Sequence, residues 1–218
     1  MRFLVASYPR SGNHLVRGLV EFGFRRPTLG LQAHNDGPIS DGAPNRARRV
    51  IAIENRDPIG LKVHFLHQLL ARKRDFPDAV GMILVTRDPR EAITSQLLRH
   101  FRRSPWISGR GLRIEIERSI SDYLGLLYAY RAWTASCRWH LEFDRLVGED
   151  GSLEYGNQFL ERVGAPHRLD AAQWQGLRQV TRESQISLGQ IGRHRKPRVR
   201  AAVEERLGPE DLRLLMAT

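Results

Sequence analysis

At 218 residues with 41% apolar side chains, the chain can bury one sizeable core, and disorder is not its default state. Its single cysteine, Cys137, excludes an internal disulfide and any multi-cysteine metal site, and no apolar run reaches the ~18 residues needed to cross a bilayer. The formal net charge of +11 favours anionic partners, but the arginines are dispersed, with only modest clusters at Arg46–Arg49, Arg72–Arg74 and Arg193–Arg200.

Arg2 to Tyr8 is a short apolar, β-branched run suited to a buried parallel strand. It breaks at Pro9 and Gly12, after which Leu15, Val16, Leu19, Val20 and Phe22 recur at helical spacing. Met1 to Tyr8 is too short for a signal-peptide core, so a cytoplasmic protein is expected. Residues 28–58 are rich in Gly and Pro with little periodicity and read as a long loop or short elements. Ile59 to Phe65 suits a second strand, leading into a helix with Leu66, Leu69 and Leu70.

Val80 to Thr86 is the clearest strand, and Glu91 to Phe101 reads as the helix behind it, with Pro89 in its first turn. Ile114 to Trp133 is a long amphipathic helix, Arg138 to Phe143 a strand, and Leu153 to Val163 a helix. Cys137 is expected to be a small buried group on a strand. The tail from Ala171 is mostly helical, interrupted by a basic loop at Gly189–Pro197. Alternating strands and helices predict one α/β domain over 1–218, a three-layer sandwich with a central parallel sheet and a phosphate-binding loop after the first strand.

Three constellations carry chemistry. Tyr8-Pro9-Arg10-Ser11-Gly12-Asn13-His14 joins a strand to a helix through a small-residue turn, which presents backbone N–H groups and a helix N-terminus to an anion. The G-x-x-x-x-G-K-S/T pattern of nucleoside triphosphatases is missing. Arg87 closes a strand, where ligands of open α/β sheets bind, and Ser95 lies eight residues on in the next helix. A guanidinium and a hydroxyl there suit a phosphate, although Arg87 could equally pair with Asp88 or Glu91. In Lys62-Val63-His64, alternation puts a cation and a titratable base on one face of a strand. His34, His67, His100 and His140 are scattered and read as surface or packing residues.

Taken in order, Y-P-R-S-G-N, K-V-H and T-R-D-P-R-E-A-I-T-S resemble the sulfotransferases that use 3'-phosphoadenylyl sulfate (PAPS), with their pattern Y-P-K/R-S-G-T/N, K-x-H and R-N/D-P-K/R-D/E-x-x-x-S. Arg138–Leu146 is similar to that family's strand ending in Y-E-D-L, and Phe159–Gly164 to its following helix, so the resemblance covers most of residues 2–195. It implies that Arg10, Ser11, Gly12, Asn13 and His14 hold the 5'-phosphosulfate end, and that Arg87 and Ser95 grip the 3'-phosphate. It further implies His64 as general base, Lys62 and Arg10 as cations at the transferred group, PAPS as donor, adenosine 3',5'-bisphosphate as product, and no metal.

Leu15 stands where the family often has an adenine-stacking tryptophan. The family's late R-K-G-x-x-G loop survives only as Ser187-Leu188-Gly189-Gln190-Ile191-Gly192, leaving Arg193, Arg195 or Lys196 to supply the cation. The expected activity is transfer of a sulfuryl group to a hydroxyl or amine of a small-molecule or carbohydrate acceptor, with residues 28–58 and 100–125 shaping the acceptor pocket. The runner-up readings are a small-molecule kinase and a non-catalytic polyanion-binding module. No nucleic-acid partner is expected, since no such motif appears and aromatics make up 8% of residues.

Overall fold

Arg2–Ser7 forms strand β1, and Phe3 through Ser7 are buried on both sides of it, as a continuous apolar run requires. Strand β3 (Gly60–Val63) runs parallel along one edge, with Phe3 opposite Gly60 and Ala6 opposite Val63. Strand β4 (Val80–Thr86) runs parallel along the other, with Arg2 opposite Val80 and Ser7 opposite Val85. The two-residue strand β2 (Thr28–Leu29) extends the sheet beyond β3, and β5 (Arg138–Glu142) extends it beyond β4. The five-stranded order β2-β3-β1-β4-β5 is parallel throughout. This computed structural model describes residues 1–30, 38–39, 51–65, 67–70, 80–101, 108–148, 152–189 and 196–216.

Alternation along β1 sends Phe3 and Val5 to one face and Leu4, Ala6 and Tyr8 to the other. Helices α1 (Asn13–Phe24), α5 (Ser152–Arg162) and α6 (Ala171–Gly189) cover the first face through Val16, Leu19, Leu160, Trp174 and Leu177. Helices α2 (Pro89–His100), α3 (Gly109–Arg131), α7 (Lys196–Arg206) and α8 (Pro209–Met216) cover the second through Ile93, Leu97, Leu126, Leu127, Val203 and Leu215. A short helix α4 (Phe143–Val147) follows β5 directly. The three-layer α/β sandwich with a parallel sheet is the architecture that the alternating pattern predicts.

A buried polar knot ties α1 to the outer strand. Arg17 and Glu21, one turn apart and fully buried, both reach Thr28. Arg17 donates from Nε to the Thr28 hydroxyl (2.8 Å) and from Nη2 to its carbonyl (3.0 Å). The Glu21 carboxylate accepts the N–H of Thr28 and of Ile39, each at 3.0 Å, as well as the Thr28 hydroxyl. Fixing Thr28 in this way brings so short a segment into register with β3.

Several boundaries differ from the sequence reading, for local reasons. β3 stops at Val63, so His64 lies just past the strand end while Lys62 is buried within it. Phe143 opens α4 instead of closing β5. α3 starts at Gly109, ahead of the apolar periodicity, because the Ser108 hydroxyl accepts the Gly111 N–H (3.0 Å) and caps it. Cys137 is half-buried on a 3-10 turn, Ala135–Cys137, and not on a strand. Residues 67–70 are helical with Leu69 buried and Leu70 exposed, whereas Leu66 lies outside the described residues. Ser187–Gly189 belongs to α6 and not to a loop, and Arg193, with Arg195, lies outside the described residues.

Candidate active site

After β1 the chain builds β2 and β3 on one side, then crosses to build β4 and β5 on the other. The reversal at β1 opens a crevice beyond the carboxyl ends of β3, β1 and β4, the position where open α/β sheets receive ligands. His64, the loop from Tyr8 to Gly12, and Arg87 occupy those three adjacent strand ends. The fold therefore gathers the three constellations along one edge.

The first loop is wound to face an anion. Arg10 (φ 73) and Gly12 (φ 84) both have left-handed backbones, and the Ser11 N–H turns back to the Tyr8 carbonyl at 3.2 Å. Gly12 is the N-cap of α1 and offers no side-chain cap, so the helix start relies on another acceptor for its first N–H groups. The Ser11 hydroxyl is buried and makes no well-formed hydrogen bond among the described residues, although the Tyr123 hydroxyl interacts with it. A phosphate or sulfate oxygen would satisfy such a donor. Asn13 is turned the other way: its Nδ2 donates to the Val5 carbonyl (3.3 Å) and the Ser7 hydroxyl (3.0 Å), beneath the loop.

Arg10 links the loop to the next strand end. Its Nε donates to the Ser95 hydroxyl on α2 (3.2 Å), while Arg87 Nη1 donates to the Arg10 carbonyl (3.2 Å). Burial, followed by the proximity of Arg99 and Arg87, pushes the Arg10 guanidinium down from its ordinary value. Cations gathered at such a site favour an anionic ligand. Around Arg87 stand Glu91 (4.0 Å from Nη2) and Asp144 (3.7 Å from Nε), and the Phe143 ring centroid lies 5.6 Å from its guanidinium carbon. Arg87 Nε makes no hydrogen bond among the described residues. A cavity of about 360 Å³ opens beside Arg87, bordered by Thr86, Asp88, Arg90, His140 and Glu142. There the His140 ring bonds to the Thr86 hydroxyl (2.7 Å), and burial pushes its pKa down, which fits a packing role.

At the end of β3, the His64 ring lies with Nδ1 2.8 Å from the Ser7 carbonyl, a contact in which only an N–H can donate. The neutral ring then has its lone pair on Nε2. Its backbone N–H donates to the Gln68 side chain at 2.9 Å. Asn13, Ser7 and His64 thus form a chain of contacts from the anion loop to the imidazole, with the Ser7 hydroxyl in the middle. Of the other residues expected from the sequence, His14 stands at the head of α1 and Lys62 lies in β3, whereas Arg193 falls outside the described residues.

Sequence reasoning did not single out Ser7, Tyr123 or Phe143. Ser7 sits one residue before the recognised motif, but Tyr123 and Phe143 come from α3 and α4, and no local pattern foretells their contact with the loop. Among the described residues, no helix is long and apolar enough to cross a membrane, and no three His, Cys, Asp or Glu side chains are grouped to hold a metal ion.

No protein-family model matches the sequence, and no curated protein matches it. Similar solved structures do exist. The mouse sulfotransferase SULT7A1 complexed with PAP superposes with a TM-score of 0.54 at 12% identity, over 97% of this chain and 80% of that one. Retinol dehydratase in complex with androsterone and inactive cofactor PAP gives 0.52 at 14% identity, over 96% and 82%. Sulfotransferase STF9 from Mycobacterium avium gives 0.52 at 15% identity, over 94% and 76%. Along nearly its whole length, this chain has the fold of the PAPS-dependent sulfotransferases.

Proposed function

We propose that the chain, acting as one domain over 1–218, moves the sulfuryl group of PAPS to an acceptor hydroxyl or amine. One observation carries the reading: Arg87 donates to the Arg10 carbonyl while Arg10 donates to Ser95, each at 3.2 Å. The clusters that would hold the 5' and 3' ends of the nucleotide are in contact, as they must be if both phosphates hang from one ribose. Arg10, the Ser11 hydroxyl and the N–H groups from Gly12 to His14 hold the phosphosulfate, and Arg87 and Ser95 hold the 3'-phosphate. Arg193 is offered as a further phosphate contact on sequence grounds.

The reaction is an in-line displacement that resembles phosphoryl transfer. The acceptor oxygen or nitrogen forms a bond to sulfur as the bond between sulfur and the bridging oxygen breaks, and adenosine 3',5'-bisphosphate leaves with the bonding pair. Arg10 and Lys62 stabilise charge at the departing oxygen. His64, oriented by the Ser7 carbonyl, takes the acceptor's proton on Nε2. The acceptor class is a small molecule or carbohydrate that presents a hydroxyl or amine, and the androsterone complexed with one structural neighbour is a small molecule of that kind.

Thermal shift tests the reading. Adenosine 3',5'-bisphosphate should stabilise the chain at lower concentration than ATP with magnesium or a short oligonucleotide. Greater stabilisation by ATP would favour a kinase, and by the oligonucleotide a polyanion-binding module. With the donor established, radiolabelled PAPS and pooled acceptors identify the substrate.

A further inference from the structure

We propose that Tyr123 is a positioning residue that sets the site's preference for a 3'-phosphorylated nucleotide, by holding the backbone from which Arg87 reaches. The inference rests on the sulfotransferase reading, within which Arg87 grips the 3'-phosphate.

Tyr123 lies in the second half of α3 and is 2% exposed. Its hydroxyl donates to the Arg87 carbonyl at 2.8 Å and accepts the Arg87 N–H at 3.3 Å. One side chain thus holds both main-chain polar groups of the first residue past β4, where the strand ladder has ended at Thr86. The Tyr123 ring also lies 5.1 Å from the ring of Tyr8, the residue that opens the anion loop, with the planes tilted by 30°. It therefore touches both strand ends whose spacing must suit one nucleotide. Burial pushes its phenol up to about 12, so at neutral pH the hydroxyl keeps its proton and can donate and accept together.

The pin matters because Arg87 stands between two acids. Glu91 on α2 and Asp144 on α4 lie 4.0 and 3.7 Å from its nitrogens, and Asp144 also accepts the Asp88 N–H at 2.9 Å. A guanidinium at the end of a long side chain is displaced by small changes of φ and ψ at its own Cα. With its backbone released, it would settle on a carboxylate and present fewer donors to a phosphate. Held by Tyr123, it keeps Nη1 on the Arg10 carbonyl, at the anion loop.

The test compares binding of adenosine 3',5'-bisphosphate and adenosine 5'-monophosphate by calorimetry in wild type, Arg87→Ala and Tyr123→Phe. Wild type should prefer the bisphosphate, and Arg87→Ala should abolish the preference. Tyr123→Phe keeps the ring stack and loses both hydroxyl contacts with Arg87, together with the hydroxyl's interaction with Ser11. It should lower the preference by roughly tenfold, the scale of one good interaction, with monophosphate affinity within about twofold of wild type. A merely structural role would weaken both ligands together. If wild type discriminates and Tyr123→Phe discriminates equally well, this inference is wrong while the donor reading stands. If wild type shows no preference, the donor reading falls and the inference with it. Should Tyr123→Phe not fold, amide exchange of wild type decides: the Arg87 N–H is expected to be protected, and exchange at open-loop rates overturns the proposal.

Discussion

A Cβ built on Gly12 would stand 1.8 Å from Cδ2 of Phe143, so the turn that heads α1 lies directly against the first side chain of α4. The same ring also faces the Arg87 guanidinium at 5.6 Å. One aromatic side chain thus walls both the anion loop and the arginine of the next strand. Gly12→Ala should fail twice, through its left-handed φ of 84 and through the ring. The expected loss is roughly 2–5 kcal/mol, from strain plus overpacking. Thermal melts check it, and a variant that melts with wild type would mean that the loop relaxes freely.

His64→Ala should lower turnover by about 10²-fold at saturating donor, the scale of a lost general base. Donor affinity should change little, because the ring is bonded to Ser7 at the end of β1 and not to the Arg10–Ser95 pair. Near-normal turnover in the purified variant would remove His64 from the chemistry.

Arg10 and Arg87 should separate in steady-state kinetics, although they are in contact. In the proposed reaction, Arg10→Ala removes a cation beside the departing oxygen and should depress kcat most. Arg87→Ala acts at the remote phosphate and should raise the donor KM by at least about tenfold, with a smaller effect on kcat. Identical kinetic signatures for the two variants would contradict the division of labour.

Asp88 caps α2 by accepting the Arg90 N–H at 2.9 Å and is bonded by the Arg90 guanidinium at 2.7 Å. These bonds hold its carboxyl below the usual range. A carboxyl depressed in the folded state stabilises the fold above its unfolded pKa of about 3.9 and loses that contribution as pH falls toward its folded value. The group is substantially solvated, so the effect is modest, about 0.5–1 kcal/mol. Asp88→Asn retains an N-capping side chain and should flatten the decline in melting temperature below about pH 4. An unchanged acid limb would assign that decline to other carboxyls.

Where a feature depends on neighbours in sequence, the chain could be read directly. Strands β1 and β4 are apolar runs ended by the loop residues of the candidate site, and Pro89 and Asp88 mark the start of α2. Features that depend on distant partners escaped. β2 is two residues long and exists because Arg17 and Glu21 hold Thr28 from α1. Tyr123 and Phe143 reach the site from α3 and α4, elements whose own periodicity reports only packing. Asn13 fits the phosphate-loop motif by position, but its amide is drawn back onto β1, where Val5 and Ser7 offer acceptors.

The register of β3 against β1 has a practical corollary. Leu61 and Val63 pack into the layer of α2 and α3, so Lys62 faces the opposite way. A slip of one place would exchange the two sides, setting valine where the ammonium belongs and turning the lysine into an apolar layer. Every backbone bond of the sheet could reform, yet an unpaired ammonium buried among apolar side chains would cost roughly several kcal/mol, so the misaligned sheet would melt well below the native one. In this architecture, the apolar alternation that stabilises β3 is also what decides which way its lysine points.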